Sequence, residues 1–139
     1  MAQSEFTIQT RGPGFYEFTR DVTRWVRETG QREGLLTLFV RHTSCSLLIQ
    51  ENADPDVRTD LAGFFARLVP RGDDPSMRWL SHTLEGPDDM PAHIKSALLP
   101  VSLNIPVSEG RPVLGTWQGI YLVEHRDMPH TRRVYAHQA

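Results

Sequence analysis

The chain has 139 residues, enough for one domain that buries about two-thirds of its unfolded surface. Apolar content of 39%, charged content of 23% and a net charge of -2 suit a globular domain and argue against a nucleic-acid or anionic-membrane partner. The single cysteine, Cys45, excludes an internal disulfide, and no leader or bilayer-length apolar run is present, so one cytoplasmic domain spanning residues 1–139 is expected.

In chain order, "EFTIQTRGPGFYEFT" alternates and turns at Gly12-Pro13-Gly14, the mark of a strand pair. "RDVTRWVRETG" follows as a helix, with Val22, Trp25 and Val26 at helical spacing and Gly30 as its terminator. "LLTLFVRHTSCSLLIQEN" is rich in β-formers and predicts two strands or one bent strand. "ADPDVRTDLAGFFARLVP" predicts the best helix. Asp54 is placed to cap it, Pro55 suits its first turn, and Val57, Leu61, Phe64, Phe65 and Leu68 share one face.

After the loop "RGDDPSMR" a shorter helix is predicted over "MPAHIKSALL", with Met90, Ile94, Ala97 and Leu98 as its apolar stripe. "SLNIPVSEGRPVLGTWQGIYLVEHR" predicts a hairpin, and "RRVYAHQ" a last strand. Strands and helices do not alternate strictly. The expectation is an α+β fold of packed, mostly antiparallel β-sheets, sandwich- or barrel-like, with two or three short helices.

The local motifs of the common enzyme classes are missing: no H-E-x-x-H, paired C-x-x-C, Walker loop, G-x-G-x-x-G or G-x-S-x-G occurs. Fourteen of the fifteen basic residues are arginine, Lys95 being the exception, a bias that a GC-rich genome explains. The chemistry must therefore come from residues scattered along the chain.

Three histidines stand in unusual polar surroundings. His82 precedes "TLEGPDD", His93 lies in the first turn of the short helix, and His125 ends the strand "GIYLVEH". Neutral imidazoles bind Zn, Ni, Cu or Fe, and three of them leave a coordination position open. The alternative is that each ring is isolated and that Asp88 and Asp89 merely cap a helix.

A second group, "RHTSCSLLIQENADPD", gathers Arg41, His42, Thr43, Ser44 and Ser46 in an apolar region, followed by Glu51, Asn52 and Asp54 at a strand-to-helix junction. Capping explains Asp54; Glu51 and Asn52 point towards a substrate. Cys45 fits a small core residue better than a nucleophile. In the third group, "LGTWQGIYLVEHR", Gly115 and Gly119 bracket Thr116, Trp117 and Gln118 and let the backbone approach something closely. A β-bulge explains the same pattern.

With these residues in view, the sequence resembles the YjbQ-like family, whose members have been described as secondary thiamine-phosphate synthases. The resemblance rests on "HTSCSLLIQENADPDVRTDL", "HTLEGPDDMPAHIKSALL" and "SLNIPVSEGRPVLGTWQGIYLVEHR" and covers nearly the whole chain. It implies packed antiparallel sheets assembled as a homotrimer, with a cavity that holds a divalent metal on His82, His93 and His125: Zn or Ni at the histidines, or Mg with a substrate phosphate.

It further implies Glu51, Asp54 and Glu85 as acid–base groups, and His42, Asn52, Asp88, Thr116, Gln118 and Arg126 as substrate contacts, Arg126 at a phosphate. The implied reaction joins a pyrimidine diphosphate to a thiazole phosphate and releases pyrophosphate. Three histidines suit Zn or Ni better than Mg. A metal-dependent hydrolase of a small molecule, or a non-catalytic trimer binding a metal or metabolite, therefore stands beside that transferase.

Overall fold

The computed structural model describes residues 1–139 as eight strands and three α-helices. The strands are β1 (Ala2–Thr10), β2 (Gly14–Glu17), β3 (Gly34–Val40), β4 (Cys45–Glu51), β5 (Ser102–Ser108), β6 (Arg111–Pro112), β7 (Gln118–Glu124) and β8 (His130–Gln138). The helices are α1 (Thr19–Thr29), α2 (Pro55–Leu68) and α3 (Asp89–Leu98). No helix is long and apolar enough to cross a membrane.

Every strand pair is antiparallel. Five strands form one sheet in the order β1-β8-β3-β5-β6, and three form another in the order β2-β7-β4. Period-two burial explains why they pack. Leu36, Leu38 and Val40 of β3 and Val134 and Ala136 of β8 face inward, against Leu47, Ile120 and Leu122 of the smaller sheet and Val22 and Val26 of α1. The expected α+β class with mostly antiparallel sheets is what the chain adopts.

Several local expectations change once pairing is known. The Gly12-Pro13-Gly14 turn is no hairpin, because β1 pairs with β8 while β2 pairs with β7. The chain turns a corner there from one sheet to the other. Tyr16 fixes the corner: its hydroxyl accepts from Arg11 N and donates to Gly12 O. Likewise, β3 and β4 are two strands in different sheets. In the long predicted hairpin only β5 and β6 pair, around a turn in which Glu109 and Gly110 both have positive φ (53° and 76°). Two such residues give the tight turn that matches strand twist. The chain then crosses to β7 in the other sheet.

α1 ends as expected, with Gly30 left-handed and its N–H bonded to Arg27 O. α2 is also placed as expected, and Asp54 caps it by accepting from Asp56 N. Its apolar face, however, is only partly covered: Val57, Leu61 and Phe65 are half-buried. No α2 residue is buried, and Phe64 and Leu68 are 56% and 54% exposed. α3 is rotated from the expected stripe. Asp89, Pro91 and Ala92 are buried, whereas Leu98 is largely exposed. The inward side carries Asp89, Ala92, His93 and Ser96, which share a face at helical spacing. His93 and Ser96 tie that face to Thr43 O and Cys45 O.

The chain end closes on β3. Leu35 N and Ala139 O, and Ala139 N and Leu35 O, exchange backbone bonds of 2.8 and 3.1 Å. Gly34, at φ +139°, lies so close that an added Cβ would sit 2.7 Å from Ala139 O. Gly34→Ala is therefore expected to destabilise by about 1–3 kcal/mol, read from urea unfolding. An unchanged midpoint would mean that the terminus is not held against β3.

Candidate metal centre

The site begins with a buried staple between the sheets. Glu124, the last residue of β7, receives Arg132 of β8 in two bonds: Nε to Oε1 at 2.8 Å and Nη2 to Oε2 at 2.6 Å. Thr10 Oγ1 donates to Oε1, and Oε2 also accepts the backbone N–H groups of His125 and Arg126. Burial works to raise the Glu124 pKa, but the Arg132 and Thr10 bonds outweigh it and hold the carboxyl ionised below its usual range. One buried carboxylate thus fixes the direction in which the chain leaves β7.

Arg126 then reaches the start of α3. Its Nε donates to Asp88 Oδ2 at 2.8 Å, Nη1 to Asp89 Oδ1 at 2.6 Å and Nη2 to Glu85 O at 3.4 Å. Asp88 also accepts from Asp127 N and makes no side-chain cap to α3. With Oδ1 clamped, Asp89 presents Oδ2 to two imidazoles. His82 Nε2 lies 2.7 Å from it and His93 Nε2 3.2 Å, while Glu85 Oε2 is 3.3 Å from His82 Nε2. One ligand atom from each of these four residues falls within 4.8 Å of all the others.

Two details set the electrostatics. Asp89 is 2% exposed, and burial alone would raise its pKa, yet the bond from His82 and the charges of His93 and Arg126 hold it down. His82 is shifted the other way, chiefly by its bond to Asp89 and then by Glu85. His93 Nδ1 donates to Thr43 O at 2.8 Å, so in its neutral form the ring turns a bare Nε2 lone pair towards the Asp89 carboxylate. Lone pair facing anion repels unless a proton or a cation lies between them.

The donor set fits a transition metal. Ligands about 2.05 Å from zinc form a tetrahedron with edges of about 3.3 Å; three of the six separations here are 2.7, 3.2 and 3.3 Å, and all lie within 4.8 Å. Two imidazoles with one or two carboxylates suit Zn, Ni or Fe and leave a position open. The Nδ1 bond of His93 and the Arg126 clamp on Asp89 are the outer contacts that orient such ligands. Two hollows flank the group. One of about 420 Å³ is lined by His82 with Leu80, Pro87 and Met90; another of about 480 Å³ is lined by His93 with Phe39, His42 and Val101.

The remaining expected site residues divide clearly. His125 does not join His82 and His93: it is buried with Nε2 2.9 Å from Ser46 Oγ, and burial pushes its pKa down to about 4. Arg126, expected at a phosphate, is engaged by Asp88 and Asp89 instead. His42 lines the hollow beside His93, with Nε2 accepting from Arg133 N. Cys45 is core, its thiol raised to about 12 by burial.

Glu51, Asn52, Asp54, Thr116 and Gln118 lie elsewhere. β4 and β7 pair from Cys45↔Glu124 to Glu51↔Gln118, and six strand steps span about 20 Å. α3 is docked at the Cys45 end, so these residues cannot reach His82 in the same chain. Their side chains hold local structure. Glu51 accepts from Asp54 N, Asn52 donates to Glu17, and Gln118 accepts from Gly115 N. Thr116 is exposed in the turn before β7. Sequence reasoning missed Asp89, the residue that joins the group, by treating it as a cap. The signal was there in the four-residue spacing of Asp89 and His93, which puts both on one helix face.

A family model described as "UPF0047 protein YjbQ-like" matches residues 4–139. UPF0047 protein sll1880 of Synechocystis is 53% identical over 135 residues, covering 97% of this chain and 89% of that protein. The YjbQ protein of Escherichia coli O157:H7 is 42% identical, covering 96% and 94%. Among solved structures, an uncharacterized YjbQ/UPF0047 protein from Clostridium acetobutylicum superposes with a TM-score of 0.86 at 34% identity, covering 98% and 99%. The hypothetical protein APE1520 of Aeropyrum pernix gives 0.87 at 31%, covering 100% and 98%.

Proposed function

The chain belongs to the YjbQ-like UPF0047 family, and we propose that it is a small metal-dependent hydrolase whose centre is His82, Asp89 and His93, with Glu85 beside them. The observation that carries this reading is the convergence of His82 Nε2, His93 Nε2 and Asp89 Oδ2, with the outer nitrogen of His93 already committed to Thr43 O. A bound Zn or Ni would acidify water and polarise a substrate carbonyl or phosphoryl group.

The chain's own residues supply the rest. Arg126 holds Asp89 in place, and its charge adds to the larger effect of the His82 bond in keeping that carboxyl ionised. Glu85, 3.3 Å from His82 Nε2 and with a side chain 62% exposed, would accept a proton from an attacking water. The two hollows beside the group offer room for a small substrate. The transfer reaction implied by the family resemblance fits less well. Mg prefers an all-oxygen shell, and the arginine nearest the centre is already neutralised by two aspartates. A non-catalytic metal-binding protein would share the ligands but would not need Glu85.

The test is a screen of carboxylic and phosphate ester substrates with metal-loaded protein. Turnover lost in Asp89→Asn and reduced about 10²-fold or more in Glu85→Gln supports the hydrolase; turnover unaffected by Asp89→Asn rejects it. Arg126→Leu leaves His82, Asp89 and His93 in place, so it is expected to weaken metal affinity about 10–100-fold by isothermal titration. Equal affinity would show that the clamp does not orient Asp89.

The assembly belongs to the same proposal. A homotrimer would cover the open face of α2, where Phe64 and Leu68 lie exposed. Phe64→Glu combined with Leu68→Glu is expected to give monomers in light scattering; an unchanged mass would place the interface elsewhere. A reduced, buried Cys45 is compatible with a cytoplasmic setting.

A further inference from the structure

A polar cleft lies at the far end of the larger sheet. The last turn of α1, the loop into β3 and the β5–β6 turn enclose a cleft of about 520 Å³ with no hydrophobic residue in its lining. Arg27, Arg32 and Arg111 line it, with Thr23 and Gln31 as neutral polar groups and Glu109 as the one acid. The opposite walls are joined: Gly110 N donates to Arg32 O at 2.9 Å, and Glu109 N to Glu33 Oε1 at 3.3 Å.

The charge balance there is unusual for this molecule. The whole chain carries -2, yet the three lining arginines outnumber Glu109 and the neighbouring Glu33 carboxylate and leave this cleft at about +1. None of the three guanidiniums takes part in an ion pair, a state shared with Arg11, Arg20, Arg41, Arg58, Arg67 and Arg78, while Arg24, Arg71, Arg126, Arg132 and Arg133 are paired. Guanidinium forks match phosphate oxygens two at a time, which a scatter of lysines would not. A lining without apolar residues selects against a ligand with a hydrophobic body.

We propose that this cleft binds a small phosphate-bearing anion of the diphosphate class, held by Arg27, Arg32 and Arg111 with Thr23 as a hydroxyl donor. The site is independent of the metal centre. The cleft borders the start of β3, whereas His93 is bonded just beyond its other end, at Thr43. The strand between them spans about 20 Å.

Inorganic diphosphate titrated into chelator-treated protein tests this by calorimetry. Saturable binding that weakens with added salt is expected. Arg32→Gln combined with Arg111→Gln should weaken it at least about tenfold, since each charge-assisted bond lost is large on that scale. Asp89→Asn should leave it unchanged, so failure of the metal proposal and failure of this one are separable. No binding, equal binding in the double variant, or loss in Asp89→Asn would overturn it. All three arginines are solvent-exposed, so the variants are expected to fold.

Discussion

Arg132→Met is expected to lower the unfolding free energy by about 3–5 kcal/mol, because it leaves the Glu124 carboxylate buried without its countercharge. The Glu124 side chain is fully buried and the Arg132 side chain nearly so, and their two bonds of 2.6 and 2.8 Å join the two sheets. The loss is a large fraction of a typical domain's 5–15 kcal/mol. Its effect reaches the metal centre. Glu124 holds the N–H groups of His125 and Arg126, and Arg126 holds Asp89. Pairing the change with Glu124→Leu removes both charges and should recover part of the stability, less the cost of leaving Thr10 Oγ1 and the N–H groups of His125 and Arg126 without an acceptor. Urea unfolding of the two variants decides it. A double variant no more stable than Arg132→Met would show that charge burial is not the dominant cost.

The second large effect is a dependence of stability on pH that His125 carries. Its pKa falls from 6.5 to about 4, mainly through burial and then through the charge of Lys95. The unfolded chain therefore binds a proton between those two values that the folded chain refuses. Stability from this residue is complete above pH 6.5 and lost as pH falls towards 4, a change of about 3 kcal/mol. Asp88, Asp89 and Glu124 have lowered pKa values and add to the loss at the acid end. His82, with its pKa raised, acts in the opposite sense, and its contribution fades as pH rises through its folded value. His125→Gln should remove the His125 share of the slope between pH 4 and 6.5. Parallel stability curves for wild type and variant would contradict the assignment of His125 as a buried neutral ring.

What the sequence revealed depended on the range of the interaction. The three helices were legible because capping and periodicity are local: Asp54 caps α2, and Gly30 closes α1. The division of strands between sheets was not, since the corner at Gly12–Gly14 and the crossing from β6 to β7 look like hairpins until pairing is known. His82 and His93 were found from their polar neighbourhoods. Asp89 was hidden by its position at a helix start, where an aspartate already has an ordinary explanation. His125 was misjudged for a different reason: the direction of a ring at a strand end is set by its neighbour Ser46 on β4, far away in sequence. Composition also concealed the arginine cleft, because fourteen arginines in one chain give no hint of which three meet.

The most direct measurement is the metal content of untagged protein by mass spectrometry after growth and purification with Zn or Ni supplied. About one equivalent per chain is expected, with Asp89→Asn and His93→Ala empty while both retain the wild-type fold by circular dichroism. Wild-type protein that stays metal-free under the same supply would contradict the account, since the converging lone pairs of His93 and Asp89 would then be bridged by a proton alone.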